Sequence, residues 1–191
     1  MGSDTGILGR VGRDRVPKNP LHAILSGIIS HKHGSSGMTL DSFDRVLLSE
    51  LQRDATLTLD ELAARAHLSR NACWTRIKRL EETGVIARRV ALVAPEKVNL
   101  ELIAIMQIRT REHSADWLAR FRKAVVDVPE VVAIYRMTGE TDYMIKAVIP
   151  SMKAFDALYQ RITARIALED VSTSFVMETL KEETALPLDY A

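Results

Sequence analysis

Cysteine and long apolar runs are both scarce in this sequence. Cys73 is the only cysteine, which excludes an intrachain disulfide and a multi-cysteine metal site. No apolar run approaches the roughly 20 residues that a membrane-spanning helix needs, because His22, Ser26 and Gly27 interrupt the segment 21–29. That segment also lacks a small-residue cleavage site. We therefore expect a protein of the reducing cytoplasm, with no secretion signal and no membrane partner.

Charge of one sign is not in excess overall, but it is distributed unevenly along the chain. The formal net charge is +1, whereas residues 1–90 hold 14 Lys and Arg against 10 Asp and Glu, and residues 91–191 hold 12 against 15. A basic first half and an acidic second half favour a nucleic-acid-binding segment joined to a domain with another role. With 191 residues, of which 47% are hydrophobic, the chain is long enough for two small domains.

Composition and periodicity divide the chain into four segments. Residues 1–37 are rich in Gly, Ser, Arg, Lys and His without a sustained period, and we expect a flexible N-terminal extension. Met38 has the position of a natural start, so the extension is expected to be vector-derived or translated from an upstream codon, with a functional basic arm as the alternative. Residues 38–94 predict a winged helix-turn-helix domain, 95–100 a linker, and 101–191 a ferredoxin-like domain.

Three helices are predicted in the first domain. The first is indicated by five apolar residues on one helical stripe, Leu40, Phe43, Leu47, Leu48 and Leu51. Thr58 and Glu61 have the spacing of a capping box, which starts a second helix. Ser69 caps a third helix that runs to about Glu82 and ends before Gly84. Three helices with a tight turn between the last two are typical of a helix-turn-helix, and the β-branched segment 85–93 predicts a small strand or wing.

Strand and helix patterns alternate in the second half. Strands are predicted at 101–109, 131–138, 143–149 and 171–180, and helices at 114–126 and from Ser151 onward. This β-α-β-β-α-β order is that of a ferredoxin-like unit, so the predicted fold class is α+β. The first strand is apolar on both faces, so its sheet needs cover on both sides. Helices can cover one face and a partner subunit the other, and we expect at least a homodimer.

The third helix carries the candidate DNA-binding residues. Cys73, Ile77 and Leu80 share one face, so the opposite face is free to enter the major groove. The candidates are Ser69, Arg70, Asn71, Trp74, Thr75 and Lys78, with Arg76 and Arg79 to the side, where phosphates would lie, and Arg88 and Arg89 on the wing as phosphate contacts.

Each of these interpretations has a structural alternative. The basic helix is also compatible with a solvated face in a protein–protein module, and Arg88 and Arg89 with ordinary surface charges. Partial burial of Trp74 against the second helix is as plausible as a base contact. For Cys73 we favour a core position over a redox-sensing role, because no resolving cysteine exists in the chain.

The segment Met137-Thr138-Gly139-Glu140-Thr141-Asp142-Tyr143 is the candidate ligand site of the second half. Gly139 permits close approach of the backbone to a ligand, and the Asp142 carboxylate can pair with an ammonium group. The alternative is a plain β-hairpin turn in which Asp142 bonds its own backbone. We identify no catalytic set, metal or cofactor, and His113 is interpreted as a surface residue.

From about Thr39 to Pro187 the sequence resembles the Lrp/AsnC (feast/famine) family of transcriptional regulators. The motifs that carry this resemblance are Leu40-Asp41-Ser42-Phe43-Asp44, Asp60-Glu61-Leu62-Ala63, Leu68-Ser69, Gly84-Val85-Ile86, Gly139-Glu140-Thr141-Asp142-Tyr143, and Cys73, Arg76, Ile77, Arg79, Leu80 and Glu81 of the third helix. The segments 73–81 and 171–178 are most similar to the subgroup that includes a cysteine-responsive detoxification regulator. The extension 1–37 has no counterpart in the family.

The resemblance implies a regulator that binds double-stranded DNA and whose assembly or DNA binding responds to an amino-acid effector. It implies a dimer formed by the C-terminal sheets, often assembled into octamers, with amino acids bound between dimers. The effector-binding residues that it implies here are Thr138, Gly139, Thr141, Asp142 and Tyr143, with Ser172 and Ser174 as further polar contacts. Thr141 replaces a bulkier residue common in relatives, which leaves the size of the ligand open.

Two other classes of function compete with this one. Ferredoxin-like dimers also serve as small enzymes such as cofactor-free oxygenases, because a fold alone does not decide function. An enzyme, however, has no need of a basic helix-turn-helix, and no acid or base suited to catalysis is identifiable in the sequence. A scaffold or interaction module is the third class, and its binding would not depend steeply on salt with duplex DNA.

Overall fold

The computed structural model describes residues 39–191, so the expectations for the extension 1–37 lie outside the described residues. Three helices come first, α1 (Ser42–Arg53), α2 (Leu59–Arg65) and α3 (Arg70–Glu82). A second group of elements follows: β1 (Leu102–Arg109), α4 (Ala115–Val125), β2 (Val131–Arg136), β3 (Tyr143–Ile149), α5 (Met152–Thr163) and β4 (Asp170–Phe175). Short 3₁₀ turns occupy Pro95–Val98 and Leu188–Tyr190. The predicted order of helices and strands is confirmed.

Local side-chain caps set where the helices begin. The Thr58 hydroxyl accepts a hydrogen bond from the Glu61 N–H at 3.3 Å, and the Glu61 carboxylate accepts one from the Thr58 N–H at 2.7 Å. The Ser69 hydroxyl accepts one from the Ala72 N–H at 3.2 Å. Both starts were predicted, because a cap involves residues only three positions apart.

The first three helices enclose a small core of their own. Its buried members are Leu47, Leu62, Ala63, Ala66, Cys73 and Ile77. Burial raises the pKa of the Cys73 thiol, which keeps the thiol protonated and unreactive, in agreement with the core interpretation. Phe43 was wrongly predicted to be buried: it is 41% exposed, and the Arg76 guanidinium lies 5.3 Å from its ring centroid.

The four strands form one antiparallel sheet in the order β2-β3-β1-β4. One face packs against α4 and α5 around a second core, with Met106 and Ile145 on the sheet and Phe121 and Leu158 on the helices, all at most 1% exposed. The other face, which we call the open face, carries half-buried apolar residues from β1 and β3: Ile103, Ile105, Met144 and Val148. Within the described residues, helices therefore cover only one side of the sheet.

Two predicted strands differ from the structure. The segment 85–93 forms no strand, and Val90, Leu92 and Val93 in it are between 58% and 73% exposed. β-Branched residues favour an extended chain, but no strand among residues 39–191 lies alongside this segment to complete a ladder. β4 ends at Phe175 instead of position 180, because its neighbour β1 begins at Leu102 and the last bond between them joins Val176 N–H to the Ile103 carbonyl.

The carboxylate of Asp44 joins the first helix to the third. Asp44 is 1% exposed; its Oδ1 accepts a hydrogen bond from Arg76 Nη1 at 2.9 Å, and its Oδ2 accepts one from Arg79 Nη2 at 2.5 Å. Arg76 Nη1 also donates to Asp41 Oδ2 at 2.7 Å. The hydrogen bond from the Asp44 backbone N–H, followed by the one from Arg76, holds the pKa of Asp41 below its usual value. Asp41 therefore stays charged at neutral pH, and the hydrogen bonds to the two carboxylates fix α3 against the start of α1.

We expect Asp44→Asn to lower the free energy of unfolding of the three-helix domain by about 2–3 kcal/mol. The change keeps the shape of the side chain but removes the charge that two guanidinium groups face, and both arginines remain partly in water, which moderates the cost. Hydrogen exchange of the α1 and α3 amides in the full chain measures the loss.

The matched control is Asp60→Asn, which breaks the ion pair between Asp60 and Arg70. Both of these side chains are about two-thirds exposed, so the control should change stability by no more than about 0.5 kcal/mol. Equal loss of protection in the two variants would contradict the role assigned to Asp44.

Candidate DNA interface and effector site

The third helix presents one buried face and one exposed face. Cys73, Ile77 and Leu80 are at most 7% exposed, and they lie on one side because their positions differ by three and four residues. On the other side Arg70, Asn71, Trp74, Thr75 and Lys78 are exposed, so the predicted orientation of the helix is confirmed. Ser69 at its start is also exposed, but its hydroxyl caps the helix.

Trp74 and Lys78 form a pair on this exposed face. The Trp74 side chain is half exposed, and the Lys78 ammonium lies 5.1 Å from the centroid of its ring, a distance at which a cation and an aromatic face attract each other. Lys78 is also 3.6 Å from the Glu82 carboxylate. The ring is therefore accessible and carries a positive charge beside it.

Other exposed groups on α3 already have partners within the protein. Arg70 pairs with Asp60 at 2.6 Å, and the Thr75 hydroxyl donates to the Asn71 carbonyl at 2.9 Å. The Arg70 pair is exposed, so its guanidinium can exchange Asp60 for another anion at little cost. The methyl group of Thr75 is the part of that side chain left for an apolar contact.

Arg76 and Arg79 were predicted to lie near phosphates, and the structure corrects this interpretation for Arg76. Its side chain is only 26% exposed and is held by Asp41 and Asp44. Arg79 binds Asp44 as well, although 43% of its side chain remains exposed. Both residues lie more than 30 positions from their carboxylate partners, so no spacing within the helix could reveal these ion pairs.

Beyond α3, Arg88 and Arg89 lie in the extended segment that follows the helix. Both are exposed, and Arg89 pairs with Glu81 at 2.9 Å. The turn into this segment occurs at Gly84, which has a φ of 75°, a value that favours glycine. The segment therefore leaves the helix at a fixed turn with its basic residues in solvent.

The candidate effector residues lie where β2 ends and β3 begins. The Met137 N–H donates to the Asp142 carbonyl at 2.8 Å, which closes the loop between the two strands. Gly139 in that loop has a φ of 105°, and a Cβ atom placed there would meet nothing within 4 Å. Glycine is thus required by the backbone conformation, and the space beside it is open. Thr138 is exposed and Thr141 half-buried.

Asp142 bridges this loop to the segment after β1. Its Oδ2 accepts a hydrogen bond from the Thr110 N–H at 2.8 Å, and its Oδ1 lies 3.9 Å from His113 Nδ1. The side chain is 27% exposed. Asp142 therefore makes a tertiary contact, not the local turn bond that the alternative interpretation predicted, and one carboxylate oxygen remains directed at a neighbouring ring.

His113 lies beside the Asp142 carboxylate, although the sequence predicted only a surface residue at this position. It precedes Asp142 by 29 positions, and a separation of this length does not predict that two side chains meet. The two residues meet because β1 and β3 are antiparallel neighbours, which brings the end of β1 beside the start of β3. Arg109 and Glu140, 3.5 Å apart, approach each other at the same end of the sheet.

Tyr143 is the effector candidate that the structure contradicts. Its side chain is 5% exposed, and its ring centroid lies 4.7 Å from that of Phe121 and 5.5 Å from that of Trp117. Strand alternation explains the error, because Tyr143 is the first residue of β3 and shares its buried face with Ile145 and Ala147. The ring of Tyr143 belongs to the core between the sheet and α4.

Ser172 and Ser174 are exposed on β4 and share the open face of the sheet with Gln107 and Ile105, their partners across the ladder. β4 and β2 occupy opposite edges of the sheet. Adjacent strands are about 4.8 Å apart, so these serines do not meet the loop after β2 within one subunit. Across the described part of the chain, no group of three His, Cys, Asp or Glu side chains is arranged to hold a metal, and no helix is long and apolar enough to cross a membrane.

Two parts of the chain match known protein families. Residues 40–87 match a winged helix-turn-helix DNA-binding domain, and residues 103–186 match the Lrp/AsnC ligand binding domain. The boundary between these matches falls in the exposed segment between α3 and β1.

Full-length relatives agree with this assignment. The chain is 46% identical over 149 residues to a glutamate uptake regulatory protein of Zymomonas mobilis, covering 78% of this chain and 91% of the relative. It is 43% identical over 151 residues to the DNA-binding transcriptional activator DecR of Escherichia coli, covering 78% and 99%.

Solved structures agree as well. An AsnC family transcriptional regulator from Agrobacterium tumefaciens is 48% identical, with a TM-score of 0.77 over 79% of this chain and 99% of that one. A transcriptional regulator from Neisseria meningitidis, solved as an L-Met complex, is 36% identical, with a TM-score of 0.76 over 80% and 99%. The chain therefore belongs to the Lrp/AsnC family of transcriptional regulators, in which a winged helix-turn-helix binds DNA and a C-terminal domain binds an amino-acid ligand.

Proposed function

We propose that α3 is the base-reading helix of this regulator and that the loop around Gly139 and Asp142 binds its amino-acid effector. The observation that carries the first part is the exposed face of α3, where Asn71, Trp74 and Lys78 project away from a buried stripe. Asparagine and lysine side chains recognise adenine and guanine edges in the major groove, and an aromatic ring contacts thymine methyl groups.

The basic residues around this face form two groups: those free in solvent or paired with an exposed carboxylate, and those that bind the buried carboxylate of Asp44. Arg70, Arg88 and Arg89 are exposed, and we assign them to backbone phosphates, which supply affinity without sequence information. Arg76 and Arg79 are positioning residues, because their guanidinium groups hold α3 against Asp44. Ser69 contributes as the cap that fixes where the helix begins.

The proposed effector is a free α-amino acid, bound at a boundary between subunits. The Asp142 carboxylate supplies the partner for the α-ammonium group, and the hydroxyls of Thr138 and Thr141 with the backbone beside Gly139 supply polar contacts. Ser172 and Ser174 are too far across the sheet to join this group in one subunit, so we assign them to a neighbouring subunit's contact. His113, 3.9 Å from Asp142, lies beside the carboxylate that would hold the ligand.

We further propose that the working protein is a homodimer, assembled into octamers, that acts on DNA in the cytoplasm. Support for the dimer comes from the open face, where Ile103, Ile105 and Val148 are only partly covered. A second copy of this face would bury these side chains against each other, at about 25 cal/mol per Å² of apolar surface. An enzyme of the same fold is the second candidate class, but no observation in the described residues favours it.

We expect Lys78→Ala to lower affinity for a DNA fragment selected by the protein by about tenfold, with little effect on unrelated duplexes, because Lys78 faces the bases. Arg88→Ala is the matched comparison: loss of a phosphate contact should weaken all duplexes alike and flatten the salt dependence by about one ion. Gel-shift titrations at several salt concentrations measure both. An unchanged preference for the selected fragment in Lys78→Ala would exclude this helix face as the reader.

We expect Asp142→Asn to lower effector affinity at least tenfold while DNA affinity without effector is unchanged. The amide oxygen can still accept from the Thr110 N–H, so the loop should keep its shape and lose only the charge that pairs with ammonium. Calorimetry with cysteine and the branched-chain amino acids first, then methionine and glutamate, measures the binding. Asp170→Asn is the control, since Asp170 is exposed at the same end of the sheet. Equal effector affinity in the wild type and in Asp142→Asn would show that Asp142 has only a structural role.

We expect Ile105→Glu, on the open face, to shift the protein from dimer or larger assemblies towards monomer, because the carboxylate would be buried in the proposed contact between sheets. Light scattering at micromolar concentration measures the mass. Val126→Glu adds the same charge at an exposed valine after α4, 57% exposed, and should leave the mass unchanged. A wild-type protein that is already monomeric would overturn the proposed assembly.

A further inference from the structure

Two features connect the helix-turn-helix to the sheet domain in the described part of the chain. One is the linking segment 87–101, nearly all of which is exposed. The two domains have separate cores, one built from residues before position 90 and the other from residues after position 100. The second connection is the end of the chain, residues 182–191, which we call the C-terminal strap.

Hydrogen bonds join side chains of α1 to the backbone of the strap. The Gln52 side chain donates to the Leu186 carbonyl at 3.2 Å and accepts from the Leu186 N–H at 2.7 Å. The Gln52 amide therefore bonds both backbone groups of Leu186, as a residue of a neighbouring antiparallel strand would. Arg45, two helical turns before Gln52 on the same side of α1, donates from Nε to the Ala191 backbone oxygen at 3.1 Å.

Apolar contacts and an ion pair complete the attachment. Leu186 and Leu188 line a groove with Leu40, Leu48 and Leu51 of the helix-turn-helix. At the other end of the strap, Glu182 pairs with Lys146 on β3. Lys146 is on the open face, opposite the side that packs against α4 and α5. The strap is thus fixed to the sheet at one end and to α1 at the other.

We propose that the outer surface of α1 is a docking site for the C-terminal strap, and that the docked strap holds the DNA-reading domain in one orientation relative to the sheet domain. α1 is itself tied to α3 through Asp44, so a fixed α1 fixes the recognition helix. The strap is the route by which a change at the open face of the sheet reaches α3.

Orientation matters most when two recognition helices must engage DNA together. Dimeric helix-turn-helix proteins bind two half-sites about one DNA turn, ~34 Å, apart. Once one reading domain is bound, the other binds the second half-site in an intramolecular step. A domain held in the right orientation has a higher effective concentration at that half-site than one that rotates freely. This consequence rests on the proposed homodimer, while the docking of the strap does not.

The strap can be released from either side of its contact. Gln52→Ala removes both hydrogen bonds between α1 and Leu186 and leaves the bond from Arg45 to Ala191 in place. Leu188→Ser weakens the apolar contact from the strap, because Leu188 is half-buried in the groove, whereas Leu186 is 71% exposed. Arg53→Ala is the matched control, because Arg53 is the next residue on α1 and bonds Glu50 instead of the strap. Circular dichroism of each full-length variant checks that the helices are intact.

Small-angle X-ray scattering is the first readout and is independent of the proposed dimer. We expect a larger radius of gyration in Gln52→Ala and Leu188→Ser, at unchanged mass, and an unchanged radius of gyration in Arg53→Ala. Scattering curves of both variants identical to that of the wild type would overturn the docking proposal.

DNA affinity is the second readout. Both release variants should lose about tenfold in affinity for DNA with two half-sites and keep wild-type affinity for one half-site. Equal affinity of the wild type for DNA with one and with two half-sites would show that the homodimer proposal fails. The scattering measurement would then be the sole test of whether the strap is docked. Equal loss on both DNAs would place Gln52 in direct DNA binding and overturn the strap's role.

Discussion

Three groups converge on the carboxylate of Asp44, and the geometry of the DNA-reading domain depends on them. The backbone N–H of Asp41 donates to it at the start of α1, and Arg76 and Arg79 approach it from α3. A carboxylate that is 1% exposed is stable only when its charge is met by such donors. Because the same helix α1 receives the C-terminal strap, Asp44 connects the recognition helix both to its own domain and to the rest of the chain.

The arginines of α3 show how one residue type takes different roles within a single helix. Arg70 is exposed and paired with an exposed aspartate, a contact of little net energy that a phosphate can replace. Arg76 is mostly covered and bound to two carboxylates, so its charge stabilises the packing of α3 against α1. Basic composition alone therefore overstates the number of charges that face DNA.

In the sheet domain, antiparallel pairing of β1 with β3 brings together the residues of the proposed effector site. It brings the end of one strand beside the start of the other, so that Asp142 bonds the backbone at Thr110 and lies beside His113. The loop that carries Gly139 is held at its base by this contact and is open at its tip. The proposed ligand site and the proposed dimer contact each involve more than one copy of the chain.

The sequence by itself determined the features that depend on near neighbours in the chain. Caps three residues apart located the starts of α2 and α3, and helical periodicity identified the buried stripe of Cys73, Ile77 and Leu80. Strand patterns predicted the order of the elements along the chain and the bounds of β3. That order predicted the fold class, and the family motifs predicted a transcriptional regulator that responds to an amino acid.

Only the tertiary structure decided which distant groups meet. It bound Arg76 and Arg79 to carboxylates more than 30 positions away, exposed Phe43, buried Tyr143 and brought His113 to Asp142. Among residues 39–191 it also placed no strand beside the segment 85–93. Periods and caps are fixed by the geometry of a few consecutive residues, whereas these contacts depend on how whole elements pack, which no local pattern encodes.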